Sequence, residues 1–221
     1  MLIAARPLWL YGTNSYVVAN ERGGPAIVID APPDPAGIGD LLATHDLTPV
    51  AVLVTHGHID HVGGIDGVAS DSIRAYLHPD DVDMARHPGD QLRALLGSQV
   101  DPSNDEMVST KFTDLVDGES LHIGEMTLET IHTPGHTPGH CCFYLASEGV
   151  VFSGDQLFLG SIGRTDLPGG DTATLMRSMR DRVMTLDDEV HVLPGHGSQT
   201  TIGHERRTNP FRTYWENAPT Q

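Results

Sequence analysis

The heptapeptide Thr55-His56-Gly57-His58-Ile59-Asp60-His61 carries three imidazoles and one carboxylate within six consecutive residues. It follows Val50-Ala51-Val52-Leu53-Val54, an unbroken apolar run that reads as a buried strand. Polar side chains on a tight loop at a strand end can converge on one point, as a metal site requires. Imidazole and carboxylate suit zinc, iron or manganese. Three more pieces recur downstream: His136 in Thr133-Pro134-Gly135-His136, Asp155 in Phe152-Ser153-Gly154-Asp155, and His196 in Leu193-Pro194-Gly195-His196-Gly197. Each follows or interrupts an apolar segment and sits beside glycine. With His56, His58, Asp60 and His61 they make seven candidate ligands. Seven exceeds what one tetrahedral ion takes and suits two ions sharing a carboxylate. A lone histidine is more often a surface or packing residue. Independent surface histidines have no reason to fall together at glycine-rich strand ends.

The order His-x-His-x-Asp-His, then His, Asp and His, resembles the metallo-β-lactamase superfamily, and within it the glyoxalase II-like (hydroxyacylglutathione hydrolase-like) branch. Further matching pieces are Thr13-Asn14-Ser15-Tyr16, Gly154-Asp155-Gln156-Leu157-Phe158, Ser161-Ile162-Gly163-Arg164-Thr165-Asp166 and Glu205-Arg206-Arg207-Thr208-Asn209-Pro210-Phe211. The resemblance implies an α/β fold, a four-layer αβ/βα sandwich with the metal site at one edge between two sheets. It implies that His56, His58 and His136 hold one ion, that Asp60, His61 and His196 hold the other, and that Asp155 bridges, with water as the remaining bridge. The cofactors expected are two divalent metal ions, zinc first, with iron or manganese as alternatives. Asp60 and Asp155 are the candidate catalytic carboxylates.

A divalent ion lowers the pKa of bound water from about 15.7 to near 7, which supplies hydroxide at neutral pH. It also polarises a carbonyl and stabilises the oxyanion of a tetrahedral intermediate. Such machinery hydrolyses esters, thioesters, amides or phosphoesters. No separate general acid stands out in the motifs, which suits a leaving group that departs unaided, as a thiolate does with a conjugate-acid pKa of about 8.5. The resemblance likewise implies a small-molecule substrate, an S-2-hydroxyacyl thioester of a small thiol. Full-length glyoxalase II enzymes carry a longer helical tail with basic residues that grip glutathione. Here 25 residues follow His196, with Arg206, Arg207 and Arg212 among them. That grip does not transfer residue by residue, and another thiol such as mycothiol or bacillithiol stays open.

Two alternatives accompany this reading. A mononuclear-iron persulfide (sulfur) dioxygenase would use equivalents of His56, His136 and Asp155. Relatives of that kind carry Cys before the Gly-Arg-Thr-Asp element, where this chain has Ser161-Ile162. A metal-binding module without turnover would need no complete ligand set, and the set is complete.

The charge balance, 13 basic against 30 acidic residues, disfavours a nucleic-acid partner, which demands Lys/Arg surfaces. No apolar run approaches 18 residues, so no membrane-spanning helix is expected. The start, Met1-Leu2-Ile3-Ala4-Ala5-Arg6-Pro7, lacks the basic and apolar regions of a signal peptide. Cys141 and Cys142 are adjacent in a strand-like segment, point to opposite faces and are poorly placed to pair. A reduced, cytoplasmic setting is the expectation. The length of 221 residues suggests one domain over 1–221. Oligomeric state is not legible.

Strands are expected over Asn14–Ala19, Ala26–Ile29, Ile73–Leu77, Leu121–Ile123, Thr127–Ile131, Cys141–Leu145, Val150–Phe152 and Val190–Leu193. A helix over Pro35–His45 has Asp34 as its N-cap and proline at its first position. Further helices are expected over Val62–Ala69, around Asp90–Leu96, and over Asp171–Leu186 with Leu175, Met179, Val183 and Leu186 on one face. Strands separated by helices indicate a mixed α/β protein. His140 either supports the site or packs. His132 reads as structural. Arg164 and Asp166 either bind a substrate carboxylate or brace the active-site loop as an ion pair, and bracing is the preferred reading. Tyr16 and Tyr144 read as core or edge residues rather than donors to substrate.

Overall fold

The computed structural model describes residues 1–89, 91, 93 and 108–219. The chain divides into two units, Met1–Asp114 and Leu115–Gln221.

The first unit holds a six-stranded sheet in the order β1-β2-β3-β4-β5-β6. Its strands are β1 (Leu2–Leu8), β2 (Thr13–Ala19), β3 (Pro25–Ile29), β4 (Thr48–Leu53), β5 (Arg74–Leu77) and β6 (Phe112–Asp114). β1 to β3 pair antiparallel. From β3 to β6 the pairing is parallel. Ala51, Val52, Leu53 and Val54 are all buried, the mark of a parallel central strand covered on both faces. Helix α1 (Pro35–Thr44) starts as expected: Asp34 caps it by accepting the Gly37 N–H. Its Ile38, Leu41 and Leu42 enter an apolar cluster with Val17, Val28, Val52 and Leu77.

The second unit holds another six-stranded sheet, ordered β14-β13-β10-β9-β8-β7. Its strands are β7 (Ser120–Ile123), β8 (Met126–His132), β9 (Cys141–Leu145), β10 (Val150–Gly154), β13 (His191–Pro194) and β14 (Thr200–Thr201), while β11 (Leu157–Phe158) and β12 (Ser161–Ile162) form a separate hairpin. β7 to β10 run antiparallel, and β10 pairs parallel with β13. Helix α4 (Thr172–Asp181) lays Leu175, Met176 and Met179 into a cluster with Val151, Val192 and Trp215. Among the described residues no helix is long and apolar enough to cross a membrane.

Several expectations need correction. The helix expected over Val62–Ala69 is instead one turn, α2 (Ile59–Val62), and a separate 3-10 turn, Ile65–Gly67. Between them Gly64 backs onto Pro32, where a Cβ would stand 2.0 Å from the Pro32 carbonyl oxygen. The helix expected over Asp171–Leu186 has Asp171 as its cap, ends at Asp181 and tightens to a 3-10 turn over Val183–Thr185. Strand β1 was not expected; it is an edge strand, where Pro7 is tolerated. Helices α5 (Ile202–Thr208) and α6 (Arg212–Glu216) were not expected either. The helix expected around Asp90–Leu96 lies largely outside the described residues.

Asp66 ties down the segment that leads into β6. Its carboxylate accepts both the backbone N–H and the hydroxyl of Ser109 (2.8 Å each), and the same pair from Thr110 (2.9 and 2.5 Å). Partial burial works to raise the Asp66 pKa, but the bonds from Thr110 and Ser109 outweigh it and hold the carboxyl below its ordinary value. A depressed carboxyl stabilises the fold above the unfolded-state pKa and loses that contribution as pH falls through the folded value. Asp66→Asn is expected to cost about 1 kcal/mol at neutral pH. Thermal melts from pH 7 down to pH 3 should show the difference from wild type shrinking toward the acid end. A constant difference over that range would contradict the latch.

Candidate metal centre

The candidate ligands of each unit emerge at one end of its sheet. In the first unit β3 and β4 are parallel, so Asp30 and the loop after Leu53 leave at neighbouring carboxyl ends. In the second, β8 and β10 share a direction through antiparallel β9, and β13 is parallel to β10. His136, Asp155 and His196 therefore all follow carboxyl ends of like-running strands, the usual site position in open α/β sheets.

The first unit gathers His56, His58, Asp60 and His61. All four are buried. His56 Nε2 lies 3.0 Å from His58 Nδ1. The His56 and His61 rings are 4.1 Å apart between centroids. His61 Nε2 lies 3.4 Å from Asp60 Oδ2, which also accepts the Thr13 hydroxyl at 2.9 Å.

Asp30 organises this group, and the sequence did not reveal it. It is buried and occupies the left-handed region (φ 60°), which Asp enters more readily than most residues. Its carbonyl accepts the Ser15 hydroxyl at 2.7 Å. One carboxylate oxygen accepts the Thr55 N–H at 2.8 Å, and the other accepts the His61 Nδ1–H at 2.7 Å. An Nδ1–H donated to a carboxylate leaves Nε2 as the lone-pair nitrogen, the tautomer a metal ligand needs.

The second unit gathers His136, Asp155 and His196. Asp155 Oδ2 lies 3.6 Å from His136 Nε2 and 3.5 Å from His196 Nε2. These separations are longer than hydrogen bonds. They approach the roughly 3.3 Å between ligands bound at 2.0–2.1 Å with tetrahedral angles. His136 donates Nδ1–H to the Arg164 carbonyl at 2.7 Å, which again leaves Nε2 as acceptor. Gly163 permits that approach: a Cβ there would stand 1.8 Å from the Asp155 carbonyl oxygen.

Other residues singled out in the sequence now have contacts. His140 is buried; its Nε2 accepts the Asp155 N–H at 3.1 Å and its Nδ1 meets the Thr133 hydroxyl at 2.8 Å. It holds the backbone of Asp155, in keeping with a supporting role. Arg164 and Asp166 do pair, through two bonds of 2.7 and 2.9 Å, but the pair is exposed. The bond to His136 comes from the Arg164 carbonyl, not from its guanidinium. His132 Nε2 bonds the Pro138 carbonyl at 2.9 Å. Tyr16 is a core residue, and Tyr144 packs against the apolar cluster of the second unit. Cys141 and Cys142 are buried and form no disulfide; burial pushes the Cys142 thiol up to about 12, against a smaller opposing effect of Thr133. A thiol held that high is a packing group.

The Glu205 to Asn209 motif is a latch. The Glu205 carboxylate is buried and accepts the Thr200 hydroxyl (2.6 Å), the Gly160 N–H (3.0 Å) and the Asn209 side-chain amide (2.7 Å). Asn209 also donates to the Ser161 carbonyl at 3.2 Å. The β11–β12 hairpin is thereby fixed, with Phe158 edge-on to His196 at 6.1 Å between ring centroids.

A model of the metallo-β-lactamase superfamily matches residues 8–196. The chain belongs to that superfamily, in its glyoxalase II-like branch. It is 34% identical to the hydroxyacylglutathione hydrolase GloC of Haemophilus influenzae, over 96% of this chain and 98% of the relative. Among solved structures it is similar to BLEG-1 B3 metallo-β-lactamase, with a TM-score of 0.84 and 38% identity over 96% of this chain and all of the other. It is also similar to TTHA1623 in a di-iron-bound form, with a TM-score of 0.80 and 36% identity over 94% of this chain and 99% of the other. The fold is the metallo-β-lactamase fold, an α/β sandwich, and the chain is a metallo-hydrolase of this superfamily.

Proposed function

We propose that the protein is a binuclear metal-dependent thioesterase acting on S-2-hydroxyacyl thioesters of a small thiol. His56, His58 and His136 would hold one ion; Asp60, His61 and His196 would hold the other; Asp155 would serve both. Zinc is the first candidate, with iron or manganese as alternatives. The observation that carries this reading is the shared Asp155 Oδ2, nearly equidistant from His136 and His196, the two histidines assigned to different ions. Each half of the donor set also fits metal chemistry on its own: His61 and His136 both spend Nδ1–H on an oxygen and turn Nε2 to the site. Two divalent ions supply an activated water at neutral pH and polarise the substrate carbonyl. The protein's own groups orient the ligands: Asp30 fixes His61, Thr13 fixes Asp60, the Arg164 carbonyl fixes His136 and His140 fixes the backbone of Asp155.

The thiol part of the substrate is gripped weakly in this reading. Arg206 bonds Asp188 and the Met184 and Leu186 carbonyls, Arg207 bonds Asp188, and Arg212 bonds the Arg207 carbonyl. Arg206 is tied down by several bonds, while Arg207 and Arg212 are exposed and each makes one bond near the carboxyl-terminal helices. Weak grip removes binding energy common to ground and transition states, which raises KM more than it lowers kcat. S-lactoylglutathione is therefore expected to turn over with an appreciable kcat and a high KM. Lactoyl thioesters of glutathione, mycothiol, bacillithiol and coenzyme A should differ in kcat/KM by roughly tenfold or less, about 1.4 kcal/mol. A preference for one thiol above about a thousandfold, some 4 kcal/mol, would contradict the weak grip. Faster hydrolysis of a β-lactam than of every thioester would contradict the thioesterase reading itself.

A further inference from the structure

We infer that Gln91 is a positioning residue for His58, a clamp on the metal loop made by one side-chain amide. The inference rests on the two-ion reading above.

The loop that carries His56 and His58 begins where β4 stops pairing, after Leu53. Its two ends are held by different groups. At the His56 end, Asp30 binds both the N–H and the hydroxyl of Thr55. At the His58 end, the Gln91 carbonyl oxygen accepts the Ile59 N–H at 2.8 Å, and the Gln91 amide nitrogen donates to the Gly57 carbonyl at 2.9 Å. Gly57 and Ile59 flank His58, so one planar amide grips the backbone on both sides of the ligand. A neighbouring strand would bond an extended residue in the same way, and His58 is extended (φ −70°, ψ 145°).

The second amide hydrogen of Gln91 goes to the Met84 carbonyl at 2.8 Å, in helix α3 (Val82–Arg86). The clamp is therefore anchored on a helix. Asp81, itself buried, accepts the Gly57 N–H at 2.8 Å. With its oxygen and both hydrogens engaged, Gln91 is committed to backbone groups, which makes it a positioning group. Asp60 and His61 have anchors of their own in Thr13 and Asp30. Loss of the Gln91 clamp should therefore weaken the ion held with His58 and largely spare the one held with Asp60 and His61.

The test uses the full chain, stripped of metal and titrated with Co(II) and with Zn(II) against a chromophoric chelator. Gln91→Met keeps the side-chain shape and removes all three bonds; Gln91→Ala removes the bulk as well; His58→Ala marks which ion depends on His58. The expected result is a 10–100-fold weaker affinity for one ion in both Gln91 variants, the range usual for groups that orient a ligand. The Co(II) absorption bands should change as in His58→Ala. The other ion should stay within about threefold of wild type, and the metal-free protein should still melt cooperatively, at a somewhat lower midpoint as the loss of three hydrogen bonds implies. Unchanged affinity for both ions in Gln91→Met would overturn the inference. So would equal weakening of both ions, since that is a general folding effect. Where Gln91→Ala fails to fold, Gln91→Met decides alone. A wild-type protein that takes up a single ion would sink the two-ion reading separately; the role of Gln91 would then be judged on that ion, and unchanged affinity in Gln91→Met would overturn it.

Discussion

Asp155→Ala is expected to bind far fewer than two ions per chain and to lose turnover by about a thousandfold or more, the scale of losing a group on which the whole catalytic unit depends. One carboxylate oxygen lies 3.6 Å from His136 and 3.5 Å from His196, so its removal takes a donor from both proposed ions. The loss should not be a folding defect. The backbone of Asp155 is held by its N–H to His140, and β10 is paired on both edges through main-chain bonds, neither of which needs the carboxylate. The melting midpoint of the metal-free variant should therefore stay close to that of metal-free wild type. Metal analysis after native purification, read with thioester turnover, checks this. Near-normal metal content together with a near-normal rate would defeat the shared-carboxylate model.

Asp60→Ala and His196→Ala should behave differently from Asp155→Ala in metal content and alike in activity. Each removes a donor proposed for one ion only, so about one ion per chain should remain. Thioesterase activity should still collapse by two or more orders of magnitude if both ions act on the same water and carbonyl. Asp60 bonds Thr13, and His196 packs edge-on to Phe158, so neither substitution removes a residue from the main apolar clusters. The same variants separate hydrolase from dioxygenase. A mononuclear iron dioxygenase served by His56, His136 and Asp155 would keep a substantial fraction of its persulfide-dependent oxygen uptake in both. Thioesterase rates untouched by either substitution would contradict the two-ion mechanism.

Much of this arrangement was legible in the residues, for a physical reason. The polar loops stand out because each interrupts an apolar strand, and the pattern itself marks where a strand ends and a functional loop begins. Of the elements expected from sequence, β9 matches at both ends, and most of the other strands and α1 are displaced by one residue or two at a boundary. Asp30 was not legible. A single Asp after Ala26-Ile27-Val28-Ile29 looks like a turn residue, and its partner His61 lies 31 residues away, brought near by the parallel pairing of β3 and β4. Gln91 was hidden for the same reason, 32 residues from the Ile59 N–H it accepts. Arg164 illustrates a different limit. Its side-chain chemistry suggested an ion pair, and the pair exists, yet the contact with His136 is made by its main-chain carbonyl, which every residue type carries. The helix expected over Val62–Ala69 runs across Gly63-Gly64, where the chain instead breaks between two short turns and Gly64 packs against Pro32 too closely for a side chain.

The most direct test of the central claim is the metal stoichiometry of the intact wild-type protein at saturation, measured by mass spectrometry on the desalted protein and by elemental analysis. The two-ion thioesterase account predicts two divalent ions per chain, with thioester turnover rising only as the second ion is taken up. Saturation at one ion per chain with full activity would contradict it.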